Sequence, residues 1–278
     1  MYKLFFTLLI GIFGLLNPVA SWAQTSYDEW VAASYDMLDA DSTRQAAECL
    51  KKAMRLEPAN PQNGMLFTNL GTLQRELGEL TDAEMSYSCA IALLPDASVP
   101  LLARAQLYAQ MEKYADAIGD YSRLLEKDPE NEDVLYERAL CRLMSTDTIG
   151  ARRDLEYIDT FNPKSAKSRL GMAIVYKATG EYSMAIDLYN ALIKANPKSW
   201  SLLRDRAEVH FLSNRMGAAL LDVNASLDLN PNDPFTYMLR AQIRLAKGDK
   251  DYARRDINTA LEKGIEPQIV VGLLEKMQ

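Results

Sequence analysis

The chain has 278 residues, 48% of them hydrophobic, with 31 basic and 38 acidic side chains and a formal charge of −7. That is enough apolar material to bury a core, and an acidic balance that disfavours phosphate backbones and anionic membrane surfaces. A single histidine, His210, excludes the common two- and three-histidine metal sites, and no glycine-rich phosphate loop accompanies it, so no cofactor is expected and proteins or neutral ligands remain as partners.

Residues 1–23 read as a cleavable secretory signal: Lys3, an apolar run from Leu4 to Leu16, a break at Pro18, and small residues ending in Ser21, Trp22 and Ala23. The run is about 13 residues, short of the roughly 20 that span a bilayer, so export with cleavage before Gln24 is expected over an uncleaved anchor. The expected destination is the periplasm, with secretion or association with the envelope as alternatives, and no integral membrane span is expected.

Beyond the signal the chain is periodic. Pro95, Pro129, Pro163, Pro197 and Pro231 follow one another at one constant interval, the mark of stacked helix-turn-helix units. Small residues stand 24 positions before each proline (Gly71, Ala105, Ala139, Ala173, Ala207) and 12 before it (Ala83, Ala117, Ala151, Ala185, Ala219). Two helices approach closely where no large side chain intervenes. Four residues after the second small residue comes Tyr87, Tyr121, Leu155, Tyr189 or Val223, on the same helix face. Between the two helical stretches, Gly78, Gly180 and Asn214 are turn formers that tolerate left-handed geometry.

This phased pattern resembles the tetratricopeptide repeat, a family whose helical pair carries small residues at two fixed positions, then an aromatic, then a proline. The resemblance implies an all-α fold, a right-handed α-solenoid of seven stacked repeats within residues 24–267, at about 27–60, 64–97, 98–131, 132–165, 166–199, 200–233 and 234–267. In the first repeat Trp30, Ala46, Leu50, Ala53 and Pro58 keep the pattern, and three extra residues around Asn60, Pro61 and Gln62 lengthen one connection. In the last, Ala241, Ala253 and Ile257 keep register while Ile265 stands where proline is expected. Residues 268–278, with apolar Ile269, Val270, Leu273 and Leu274, are expected to form a short capping helix over the open end of the stack. No domain boundary shows within the repeats.

A second periodicity is electrostatic. In four repeats an arginine is followed sixteen residues later by an aspartate: Arg104 with Asp120, Arg138 with Asp154, Arg206 with Asp222, Arg240 with Asp256. The other three carry Ala33 with Cys49, Leu70 with Ser86, and Met172 with Leu188. Positions that change together are expected to touch, because removing one partner of a buried pair costs about 3–5 kcal/mol. An ion pair between the two helices is therefore expected, and these charges are structural rather than catalytic. Cys49, Cys89 and Cys141 are an odd set, read as unpaired thiols against the alternative of one disulfide. His210 takes the repeat position of Tyr108 and Tyr176, a core or groove-side role rather than a general base, since no nucleophile motif accompanies it. The chain is thus read as non-enzymatic.

The resemblance also implies where a partner would lie. In the family the first helices line a concave wall, and their second, fifth, ninth and twelfth positions face it. Here the wall turns apolar at Tyr136, Leu140, Leu143, Leu170 and Ile174, continues with the opposite charges of Arg204 and Glu208, and closes with Phe235 and Met238. Adjacent exposed apolar side chains mark an interaction surface, so a partner peptide or protein is expected there. The alternative is that these residues pack between neighbouring first helices. Family members that grip a C-terminal carboxylate use lysine, asparagine and arginine, where this chain has Val31, Tyr35, Asn69, Val99 and Ala103, so that mode is not expected. The functional expectation is an interaction scaffold of the bacterial cell envelope, with a structural or self-associating subunit, a homo-oligomer, as the alternative.

Overall fold

The computed structural model describes residues 26–275; the signal expected over 1–23 and the last three residues of the closing segment lie outside them. The described residues form fifteen α-helices and no strand. They divide between Leu93 and Leu94 into two compact units. The repeat register runs unbroken across that point, which is why the sequence shows no boundary there.

The first unit holds two helical pairs: α1 (Tyr27–Asp39) with α2 (Thr43–Leu56), and α3 (Asn63–Glu76) with α4 (Leu80–Leu93). Ser26 caps α1 by accepting from the Glu29 amide, while the Glu29 carboxylate accepts from the Ser26 amide, so two orphan donors are satisfied reciprocally. Trp30, Leu50, Ala53, Leu66 and Leu70 share one core. The three extra residues of the connection fall between α2 and α3, and buried Asn63 secures them. Its Nδ2 donates to the carbonyls of Glu57 (2.8 Å) and Pro58 (3.2 Å), and its Oδ1 accepts the Tyr27 hydroxyl (3.1 Å).

The second unit holds five pairs and a closing helix: α5 (Ser98–Gln110) with α6 (Tyr114–Lys127), α7 (Glu132–Met144) with α8 (Thr148–Phe161), α9 (Ala166–Thr179) with α10 (Tyr182–Ala195), α11 (Trp200–Leu212) with α12 (Met216–Leu229), α13 (Pro234–Ala246) with α14 (Lys250–Glu262), then α15 (Pro267–Glu275). The alanines that repeat with the prolines, from Ala105 to Ala219, are fully buried, as close helix contact requires. In the first unit Gly71 is under more pressure, since a Cβ there would lie 2.7 Å from the Tyr87 ring.

Two kinds of turn repeat. Inside each pair the chain passes through a left-handed residue: Gly78, Glu112, Thr146, Gly180, Asn214 and Gly248, with Asp41 in the first pair. The next amide then reaches back to a carbonyl near the helix end, as in Lys113 to Tyr108 (2.8 Å) and Asp147 to Arg142 (2.7 Å), which satisfies a carbonyl the helix leaves open. Glycine and asparagine are the visible signals for these turns, at Gly78, Gly180 and Asn214; Glu112 and Thr146 adopt the same geometry without either. Between pairs of the second unit, the proline follows the residue that ends the helix, and a Ser, Asn or Asp two residues further caps the next one. Ser165 accepts from the Ser168 amide (2.9 Å) and Asp233 from the Thr236 amide (3.0 Å).

Ile265 explains the missing sixth proline. The α14 helix ends through Gly264 at φ 98°, and the Ile265 amide returns to the Ala260 carbonyl at 3.0 Å. That glycine stop leaves Ile265 buried against Met238, Ile257 and Val270.

All four expected ion pairs form. Each arginine reaches its aspartate through two nitrogens: 2.8 and 2.9 Å for Arg104 and Asp120, 2.9 and 2.6 Å for Arg138 and Asp154, 2.7 Å twice for Arg206 and Asp222, 3.0 and 2.7 Å for Arg240 and Asp256. The aspartate side chains are at most 10% exposed. Three of the arginines use their remaining nitrogen on the preceding pair: Arg138 on Ser122 (3.0 Å), Arg206 on Asn190 (2.7 Å), Arg240 on Asn224 (2.9 Å). One side chain therefore ties three helices. His210 belongs to this layer. Arg142 and Arg244, which hold the same register position two repeats before it and one repeat after, each give a second bond of 2.7 Å to Asp154 and Asp256, whereas His210 Nε2 stays 3.8 Å from Asp222.

Candidate functional site

A groove of about 680 Å³ opens in the second unit along α9, α11, α13 and α15. Successive first helices supply the same register position to it: Ile174 on α9, Glu208 on α11 and Gln242 on α13 each stand one repeat apart. The closing helix continues this register. Ile269 stands one repeat length after Phe235 and Leu273 one after Leu239, so α15 takes the place of a further first helix and adds an apolar wall. Sequence reading treated 268–278 only as a cap. The overlooked signal was that the repeat phase runs on past residue 267.

Of the expected site residues, the groove brings together Ile174, Arg204, Glu208, Phe235 and Met238. Phe235 is 59% exposed and Met238 is buried beneath it. Leu170 is half-buried and packs against the core around Ala173 and Tyr189. Leu140 and Leu143 sit half-buried on α7, outside the groove lining. Tyr136 is half-buried nearby; burial raises its phenol, and the carboxylates of Glu137 and Asp205 add to the effect. Lining residues outside the sequence expectation are Lys177, Tyr189, Asp205, Leu239, Gln242 and Ile265, together with Ile269 and Leu273 of α15.

The two charges expected to face a partner are already engaged. Arg204 donates to Asp205 Oδ1 from Nε (3.3 Å) and Nη2 (3.1 Å), and to Asp233 Oδ2 from Nη1 (3.3 Å), and it lies 5.3 Å from the Trp200 ring centre. Lys177 Nζ donates to Glu208 Oε2 at 2.8 Å. Burial holds the Asp205 carboxyl above its ordinary range despite Arg204 and Lys177. Tyr189 is fully buried, and its hydroxyl has no hydrogen-bond partner among the described residues. Its phenol is pushed up, first by burial and then by the carboxylates of Asp205 and Glu208.

Among the described residues no three His, Cys, Asp or Glu side chains cluster to hold a metal ion, and no helix is long and apolar enough to cross a membrane. Cys49 and Cys141 are buried, Cys89 is exposed, and none is paired.

Stacked helical pairs with a groove along their first helices define an α-helical repeat solenoid of the protein-binding class. The tetratricopeptide repeat profile matches residues 102–155 and 170–234. The crystal structure of a tetratricopeptide repeat protein from Parabacteroides merdae ATCC 43184 is 35% identical, covering 91% of this chain and 99% of that one with a TM-score of 0.85. The chain therefore belongs to the tetratricopeptide repeat family, whose members act as protein–protein interaction scaffolds. The crystal structure of the APC/C hetero-tetramer Cut9-Hcn1 shares the fold at 14% identity, with a TM-score of 0.65 over 91% of this chain and 53% of that one. A DnaJ homolog subfamily C member 7 homolog from Dictyostelium discoideum is 20% identical over 81% of this chain and 46% of its own length. The chain spans less than half the length of the curated relatives it matches.

Proposed function

We propose that the chain is a non-enzymatic interaction scaffold of a bacterial cell envelope that takes a partner peptide or protein segment in the α9–α15 groove. The observation that carries this reading is the pairing of exposed apolar side chains, Phe235 and Ile269, with the buried, unpartnered hydroxyl of Tyr189 in one groove. A buried hydroxyl without a partner costs about 1–3 kcal/mol, which a ligand bond would recover. Export is supported by the layout of residues 1–23, and a bacterial source by the 35% identity to the Parabacteroides merdae protein.

Phe235→Ser with Ile269→Ser tests the groove. Both side chains are more than half exposed, so the melting temperature should stay within about 2 °C while partner capture is lost. Retained capture defeats the reading. Mass spectrometry of the chain expressed in a bacterial host should give an N-terminus at Gln24, and one at Met1 contradicts export with cleavage. Self-association has one observation in its favour: Ile269, Val271 and Leu274 of α15 remain exposed. Light scattering across a concentration series separates the two, since a monomer at every concentration removes the second reading.

A further inference from the structure

The groove has chemistry specific enough to name the kind of segment it takes. Both bonds from Arg204 to Asp205 end on Oδ1, and the bond from Lys177 to Glu208 ends on Oε2. Asp205 Oδ2, Glu208 Oε1 and the Tyr189 hydroxyl oxygen are left without hydrogen-bond donors among the described residues, and all three residues line the groove. Carboxylates only accept, so a segment that displaces water from these partly exposed oxygens has to supply a donor in its place. The lining charges balance, Asp205 and Glu208 against Arg204 and Lys177, and Asp233, which lies outside the lining but bonds Arg204 at 3.3 Å, adds one further negative charge to the cluster. Apart from Gln242, the rest of the lining is apolar, with Phe235, Ile269 and Leu273 among it.

We propose that the groove takes a segment of a partner protein in which a lysine or arginine side chain is flanked by bulky apolar residues, the cation reaching Asp205 and Glu208 while its neighbours cover Phe235 and Ile269. This deepens, and rests on, the reading of the groove as a peptide site. An acidic segment would set a further carboxylate beside Asp205 and Glu208. A wholly apolar one would exclude water from acceptors that then have no partner, at about 1–3 kcal/mol for each. A cation also relieves the desolvation that holds the Asp205 carboxyl above its ordinary range.

The probe is a random dodecapeptide phage library panned against residues 24–278, and every enriched peptide is then assayed on the Phe235→Ser, Ile269→Ser double variant. The expected consensus is one basic residue beside two or more of Leu, Ile, Phe and Met. In fluorescence anisotropy, replacing the basic residue of the selected peptide by norleucine should weaken binding about tenfold or more, as loss of a charge-assisted hydrogen bond predicts. Asp205→Asn with Glu208→Gln should bind the basic and norleucine peptides equally. An acidic or charge-free consensus that still fails on the double serine variant overturns the charge assignment and leaves the groove standing. Peptides that bind the serine variant undiminished overturn the groove itself. No enrichment, together with dimers in light scattering that the serine substitutions abolish, gives the groove to a second copy of the chain and overturns the proposal.

Discussion

Replacing Arg206 by methionine isolates the electrostatic layer most cleanly. Asp222 is 10% exposed and receives two bonds of 2.7 Å from Arg206, while His210 at 3.8 Å is too distant to replace them. Arg206→Met therefore strands a buried carboxylate and should cost about 3–5 kcal/mol. Arg138→Met is the internal control. Asp154 keeps Arg142 at 2.7 Å, so the loss should be nearer 1.5–3 kcal/mol, roughly that of hydrogen bonds to a charged group. The chain already contains the apolar solution to the same position, because Met172 and Leu188 take the places of arginine and aspartate in α9 and α10. Arg206→Met with Asp222→Leu copies that solution and should return to within about 1 kcal/mol of the starting protein. Urea melts followed by Trp200, which opens the same helix, read this pair locally. A double variant as unstable as the single one would refute the account of a self-contained pair, as would a single variant costing under about 1 kcal/mol.

Other consequences are testable with the same protein. Burial, with Arg206 and Arg215, lowers the His210 pKa against the pull of Asp222, so the folded state binds fewer protons than the unfolded one. Stability should then fall as pH drops below about 6.5, the ordinary histidine value. His210→Gln should flatten that part of the profile, and an unchanged pH slope would contradict it. Thr146 is a β-branched residue at φ 66°, and Thr146→Gly should raise stability by up to about 1 kcal/mol, whereas Gly180→Ala at φ 80° should lower it by about 1 kcal/mol in urea melts. Burial pushes the Cys141 thiol up to about 11 and raises Cys49, so a thiol reagent at pH 8 should modify exposed Cys89 fast and Cys141 only as the protein unfolds.

The repeat was legible because its signals lie at one fixed interval: prolines at the turns, alanines at close contacts, and arginines with aspartates sixteen residues apart. All of these took the places the register assigned them. What stayed hidden was local or collective. Glu112 and Thr146 are not turn formers by composition, yet they take the left-handed position because flanking helices and a backbone hydrogen bond impose it. Arg204 and Glu208 were legible as wall residues, but the engagement of Arg204 by Asp233 and of Glu208 by Lys177 depends on neighbouring repeats, while the bond from Arg204 to Asp205 lies within α11 itself. Leu140 and Leu143 were read as groove because register fixes which face a residue takes, not how far a cavity extends. The contribution of α15 was less visible because residues 265–275 lack the in-register proline and small residue of the other repeats, although Ile269 and Leu273 keep the register of Phe235 and Leu239.

Methyl NMR with the selected basic-apolar peptide follows capture of a partner segment in the α9–α15 groove residue by residue. Shifts should gather at Ile174, Met238, Ile265, Ile269 and Leu273, with none at Ile91 or Leu66 in the first unit. Shifts centred on Val271 and Leu274, which lie outside the groove lining, or on α1 to α4 would contradict it.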